Sequence, residues 1–217
     1  MAETQIQRDV RDLTCVHSFD ALPRLLTLAA AHTARLINVS DLAAPFQISR
    51  QTIHDYVMVL ERIFLLERLA PWHSNRLSRL VKTPKLHMVD TGLACALLGI
   101  DAEVLHQEPE RLGPLLETFV LQELRRQASW RPDPIEFFHY RDRDDFEVDV
   151  VLELGSAAVA GIEVKAAATV VERDFRGLRK LSDTYTGRHV FSASFVTGSQ
   201  PGGAEFEAAE PHAARDS

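Results

Sequence analysis

The sequence predicts an α/β protein built in two parts. A helical N-terminal half carries a helix-turn-helix with a two-stranded wing, and a second half packs a helix on a mixed sheet. Three observations point there. "NVSDLAAPFQISRQTIHDYVMVLERIFLLERL" has the short helix, tight turn and longer capped helix of a helix-turn-helix. "LGPLLETFVLQELRRQ" has helical spacing after a Gly-Pro start. "FEVDVVLELGSAAVAGIEVK" alternates with a period of two on both sides of a Gly-Ser segment, as an antiparallel hairpin does.

Taken in order, Ser18 to Ile37 has apolar positions at helical spacing behind a serine cap. A short helix is expected from about Ser40, a turn over Pro45 to Ile48, and a longer helix opened by Ser49 with Ile53, Val57, Leu60 and Ile63/Phe64 inward. In such a unit the early outward residues of the second helix meet the major groove, here Arg50, Gln51, His54 and Asp55. The following "LLERLAPWHSNRLSRLVKTPKLHMVD" reads as two strands joined by a basic loop. From Leu69 to Val89 there is no acid, while Arg76, Arg79, Lys82 and Lys85 are present with His73 and His87, a stripe suited to a phosphate backbone. The same helical packing also serves to bind proteins or to connect domains. Asp90 to Asp101 reads as a capped helix ending at Gly99, and "DAEVLHQEPERLG" as a connector. The expected divisions are residues 1–100, 101–198 and a disordered tail over 199–217, whose Gly, Ala and Glu leave little to bury.

The bulk numbers set wide limits. The 217 residues are 46% hydrophobic and 25% charged, ordinary for a water-soluble domain or two small ones. No apolar stretch approaches a membrane span, and no secretory pattern opens the chain. Cys15 and Cys95 form neither a metal knuckle nor a disulfide framework, which fits a reducing cytoplasm. No GxxxxGK[ST] loop is present, so no ATP site of that kind is expected. The net charge of −7 argues mildly against a protein that coats nucleic acid, but residues 1–100 carry 11 Lys/Arg against 9 Asp/Glu and the acidity lies in the second half.

The chemistry-bearing positions lie in that second half. With the turn centred on Ser156, Asp149 faces Glu163 and Glu147 faces Lys165 across the hairpin, about 5 Å apart. Two carboxylates so close repel, and Mg²⁺ or Mn²⁺ would relieve the repulsion. On the preceding helix Glu117 falls within the apolar arc of Val120, Leu121, Leu124 and Ala128, with Thr118, Gln122, Arg125 and Arg126 mostly opposite. A glutamate there needs a partner, which makes it a third candidate carboxylate. The plainer alternative is the wet face of a sheet, with Glu147 and Lys165 a surface ion pair of little worth and Glu117 reaching to water.

Helix Glu, strand Asp and then Glu-x-Lys resembles the PD-(D/E)XK nuclease superfamily, although no proline precedes Asp149. The resemblance implies Glu117, Asp149 and Glu163 as metal ligands, with Asp149, Glu163 and Lys165 catalytic and Lys165 placing the attacking water. Metal would neutralise phosphate charge and lower the pKa of its water, and lysine would add a donor to developing charge.

Together "QRDVRDL", "ISRQTIHDYVMVLERIFLLERLAPWHSN", "RLVKTPKLHMVDTGLACALLGI", "LLETFVLQEL" and "FHYRDRDDFEVDVVLE…GIEVKAAATV" resemble the C-terminal domain of prokaryotic AAA-type ATPases of the archaeal ATPase-like kind. That implies a winged helix-turn-helix followed by a restriction-endonuclease-like α/β/α domain, with DNA and an ATPase domain or another protein as expected partners. The ATPase portion that precedes this region in the family is absent from the chain, which implies a fragment, half of a split system or a truncated product. The functional expectations are a metal-dependent nuclease or nuclease-fold DNA-binding protein, a non-catalytic regulatory module, or a remnant without independent activity.

Overall fold

The computed structural model describes residues 21–46, 48–73, 83–155, 158–167, 171–184, 190–197 and 204–209; for residues 39–40, 190–197 and 204–209 the backbone alone is described. The first helix, α1 (Ala21–Ala31), buries Leu22, Leu25, Leu26, Ala29 and Ala30. β1 (Arg35–Leu36) follows, then α2 (Val39–Ala43) and a single 3₁₀ turn, Ala44–Phe46. α3 (Arg50–Arg62) opens on Ser49, whose hydroxyl accepts the Thr52 amide at 3.1 Å, and it turns Ile53, Tyr56, Val57, Val59 and Leu60 inward. β2 (Leu66–Leu69) and β3 (Lys85–Met88) pair antiparallel, and β1 joins on the far edge of β3, giving the order β1-β3-β2. α4 (Thr91–Leu98) begins on Asp90, which accepts the Leu93 amide, and ends at Gly99 with φ 63°, where a side chain would be strained. The expected connector contains a short helix, α5 (Ala102–Gln107), capped by Asp101, and a 3₁₀ turn, Pro109–Arg111.

α6 (Leu112–Ala128) joins the two halves. Leu115 belongs to the first core, with Leu25, Ile53, Leu60, Leu86 and Met88. Val120 and Leu121 pack instead against Val150, Ile162 and Val164 of the second sheet. Because apolar partners lie on more than one side, Thr118 and Gln122 are buried as well, at 0% and 6% exposure. The expected polar face at those two positions is therefore corrected: a helix wedged between two cores has no wet side there.

The second sheet runs β4 (Glu136–Arg141), β5 (Glu147–Leu154), β6 (Ala158–Lys165), β7 (Val190–Thr197) and β8 (Ala204–Ala209) in spatial order, mixed because only β6 and β7 are parallel. β5 and β6 pair from Val150↔Ile162 to Leu154↔Ala158, the register read from the hairpin. α7 (Arg176–Thr184) covers the face opposite α6, with Leu178 and Leu181 on Val148, Val151 and Val159. β8 corrects the expectation of a wholly disordered tail: Ala204 to Ala209 pair antiparallel with β7, while residues 198–203 and 210–217 lie outside the described residues. A sheet edge supplies the hydrogen bonds that a segment poor in buriable side chains cannot supply for itself.

One irregularity shapes the second half. Phe138 pairs with Val151 and Tyr140 with Val148, so Asp149 and Val150 together oppose His139. This β-bulge lets both Val148 and Val151 face α7 and re-aims Asp149. The chain after β2 also ties the halves together. Leu69 lies in the α6-side core, Pro71 bridges to His139, and the Trp72 indole nitrogen donates to buried Glu153 at 2.8 Å.

Candidate functional site

Three carboxylates converge at the junction, around a lysine from the other half. β3 runs Lys85-Leu86-His87-Met88 with all four residues buried. Leu86 and Met88 face the first core, so Lys85 and His87 project to the opposite side, towards α6 and β5. Lys85 Nζ lies 2.8 Å from Glu117 Oε1, 2.9 Å from Glu147 Oε1 and 3.2 Å from Asp149 Oδ1. Its side chain is 3% exposed. Asp149 uses its second oxygen, Oδ2, to accept the Val164 amide of β6 at 2.8 Å, just past the last β5–β6 pair. The bulge thus gives one carboxylate to the lysine and to the neighbouring strand at once.

Lys85 corrects the expectation that it belongs to an exposed nucleic-acid-binding stripe. An ammonium buried in three ion pairs is not presented to a phosphate backbone. Burial opposes its charge, but Asp149, Glu117 and Glu147 outweigh burial and push its pKa up, so it stays charged. Glu117 is pushed well above the usual carboxylate range by its own burial and by Asp149, with Lys85 pulling the other way. Glu147 is held below its ordinary value: burial opposes the charge, but Lys85 and then Arg141 overcome it.

Glu163 and Lys165 form a second, adjoining pair. Lys165 Nζ donates to Glu163 Oε1 at 2.7 Å, so the expected Lys165–Glu147 pairing is replaced by one within β6. Burial, then the charge of Asp149, push the Glu163 carboxyl up to about 7 against the pull of Lys165. Glu163 Oε2 is buried without a hydrogen-bond partner. Among the described residues, no three His, Cys, Asp or Glu side chains stand together as a group able to hold a metal ion. Glu117 and Asp149 are engaged by Lys85, and Glu163 by Lys165, so the donor set does not fit Mg²⁺ or Mn²⁺ as arranged.

Buried polar groups surround the lysine. Thr118 of α6 lies 2.8 Å from the Thr33 hydroxyl and 3.1 Å from His87 Nδ1, while Thr33 accepts the Met88 amide. His87 Nε2 has no hydrogen-bond partner and lies 3.9 Å from Glu117 Oε1. Burial, with Lys85 next, lowers the His87 pKa well below its ordinary value, so the ring is neutral. His139, opposite the bulge, is lowered to about 4 by burial and then by Lys85, against the Thr83 carbonyl near its Nε2. Thr33 and His139 went unread in the sequence, and His87 and Thr118 were read as stripe and polar face, not as neighbours of this lysine. The available signal was Lys-x-His on one face of a strand, followed by an acid on an apolar helical stripe.

The histidine gives a pH prediction. His139 has a folded pKa below its unfolded value, so its contribution is complete above about pH 6.5 and is lost as pH falls towards about 4, by at most about 3 kcal/mol. Glu163 has the opposite sign: its raised pKa contributes stability below about 4.5 that is lost as pH rises to about 7. Between pH 4.5 and 6.5 these two contributions therefore oppose each other. Urea unfolding at pH 7.5 and 5.0 should show His139→Gln gaining relative to wild type in acid, and Glu163→Gln gaining relative to wild type at pH 7.5. Parallel profiles for all three proteins would contradict this assignment.

Of the other candidates, Arg50 and Gln51 are exposed on the first turn of α3. Gln51 donates to Asp55 at 2.9 Å, and His54 Nδ1 lies 3.8 Å from the same carboxylate. Arg76, Arg79 and Lys82 lie outside the described residues.

Two family models match the chain, each described as a domain of unknown function: DUF8612 over residues 1–104 and DUF4143 over residues 112–202. DUF4143 is found in proteins associated with AAA-type ATPases. Similar curated proteins are an uncharacterized protein of Mycobacterium bovis and one of Mycobacterium tuberculosis, each 30% identical over 198 residues. The alignments cover 88% of this chain and 44% of each relative, so the chain spans less than half the length of the relatives it matches. No solved structure is significantly similar. No helix among the described residues is long and apolar enough to cross a membrane.

Proposed function

We propose that this chain is a non-catalytic, nucleic-acid-binding module that works with an AAA-type ATPase. In this reading the first half is a winged helix-turn-helix that docks α3 on DNA, and the second is a restriction-endonuclease-like domain serving as scaffold. The observation that carries it is the Lys85 ammonium, buried among the carboxylates where a nuclease of this pattern would place its cation. The order α1, β1, α2, α3, β2, β3 and the mixed sheet between α6 and α7 are in keeping with both halves of the reading.

A metal-dependent phosphodiesterase is the second reading. Its specific support is Glu163, buried with one unpartnered oxygen and a pKa near neutrality beside Lys165.

Incubation of supercoiled and branched DNA with Mg²⁺ or Mn²⁺ separates the two. The first reading expects salt-dependent binding and no cleavage beyond that of Asp149→Ala; cleavage that disappears in Asp149→Ala establishes the second. Binding itself is tested by substitution. Arg76→Ala with Arg79→Ala should weaken all sequences alike and flatten the salt dependence, by a slope of roughly one for each phosphate that is no longer neutralised. Arg50→Ala or Gln51→Ala should change the preference between sites. Failure to bind any duplex at low salt would exclude DNA as the partner.

A further inference from the structure

We propose that the Glu117–Glu147–Asp149 pocket is a recognition site for a primary ammonium, filled by Lys85 of the same chain, and that this contact latches the first half onto the second. The inference rests on the reading of the pocket given above and adds the chemical class of its occupant.

The argument is one of stoichiometry and distance. A lysine ammonium has three N–H donors and no acceptor. The pocket offers one oxygen from each of three carboxylates: Glu117 and Asp149 accept hydrogen bonds at 2.8 and 3.2 Å, and Glu147 forms an ion pair at 2.9 Å. Mg²⁺ needs its oxygens at about 2.0–2.1 Å and near-octahedral geometry. The three carboxylates would have to close in by close to 1 Å each to bind it.

The supports oppose such contraction. Asp149 is tied through Oδ2 to the Val164 amide, and Glu147 through Oε2 to Arg141 at 3.7 Å. Glu117 stands on a helix wedged between two cores. Beside it the unpartnered His87 Nε2, on a ring with 0% exposure, faces the same glutamate and adds a polar wall to the pocket. The cage is therefore sized for nitrogen, and its occupant comes from β3 while all three acids come from α6 and β5.

Chemical rescue of the full chain tests this. Lys85→Ala opens a space the length of a small alkylammonium. Because an intramolecular group acts at millimolar or higher effective concentration, the free amine is supplied at about 50 mM. Ethylammonium should raise the variant's Tm by about 2–4 °C over sodium at equal ionic strength. Trimethylammonium, with a single N–H and a bulky head, should give no such rise, and the ethylammonium effect should vanish in Lys85→Ala with Glu117→Gln. Rescue by Mn²⁺ but not by ethylammonium would overturn the proposal.

Should the variant fail to fold, the wild-type chain still decides. Amine labelling should leave Lys85 unmodified while partly exposed Lys180 reacts, and Mn²⁺ titration should show no saturable site that depends on Glu117. Labelling of Lys85 at the rate of Lys180, or a Glu117-dependent Mn²⁺ site, would overturn it. These readouts report pocket occupancy alone, so they stand or fall separately from DNA binding and cleavage.

Discussion

Lys85→Ala is expected to cost about 3–5 kcal/mol of stability at pH 7.5, because it strips three carboxylates of their buried counter-ion. The magnitude follows from asymmetry. Forming such a cluster contributes little net, since burial of the charges offsets their attraction, but removing its central cation leaves Glu117 and Asp149 desolvated and the three acids mutually repelling. The loss should therefore shrink at pH 5, where the variant can take up protons. It should also shrink when Glu117→Gln is added, giving a coupling between the two sites of at least about 1 kcal/mol. Urea unfolding of wild type, both single variants and the double variant measures this. A loss under about 1 kcal/mol, the same at both pH values, is what a surface ion pair gives and would mean that Lys85 is not the buried counter-ion of these acids.

Gly177→Ala is the second large effect. A Cβ on Gly177 would lie 1.8 Å from the Glu147 carbonyl oxygen, 2.8 Å from its carbon and 3.3 Å from its nitrogen. All three atoms are backbone of β5, so no rotamer change relieves the contact; either α7 lifts from the sheet or β5 shifts. A cost of about 3 kcal/mol or more is expected. Because Glu147 is one of the three acids around Lys85, the shift should also unprotect Lys85 towards amine labelling. Gly113→Ala is the control. It lies on the first turn of α6 with nothing within 4 Å of its Cβ, and should be neutral or slightly stabilising. Equal stability of the two variants would mean that α7 does not press on Glu147 as described.

Several elements were legible because they depend on short-range signals. Ser49, Asp90 and Gly99 mark helix ends by chemistry that acts over three or four residues, and each cap is present. The alternation in Phe146 to Lys165 specified the pairing of β5 with β6, because a one-residue slip would turn every apolar side chain to the other face. The apolar arc of α6 was partly legible: Glu117 does lie on a packed side, but so do Thr118 and Gln122. Periodicity identifies a face only when a helix has one buried face, and α6 has partners on more than one side.

The sequence by itself determined the helix over Arg50–Arg62, the capped helix ending at Gly99, the helix over Leu112–Ala128 and the β5–β6 hairpin, and that Asp149, Glu163 and Glu117 are acids that need partners. Only the tertiary structure decided who those partners are. The bulge at Asp149 depends on how β4 and β5 match in length, which neither strand encodes alone. Lys85 lies 32 residues from Glu117 and 64 from Asp149, beyond the reach of any local pattern. In the sequence it is one more cation of a basic stripe. In the fold, β3 turns its Lys85–His87 face towards α6 and β5, where desolvation makes one buried ammonium the counter-charge of buried Asp149, nearly buried Glu117 and part-exposed Glu147.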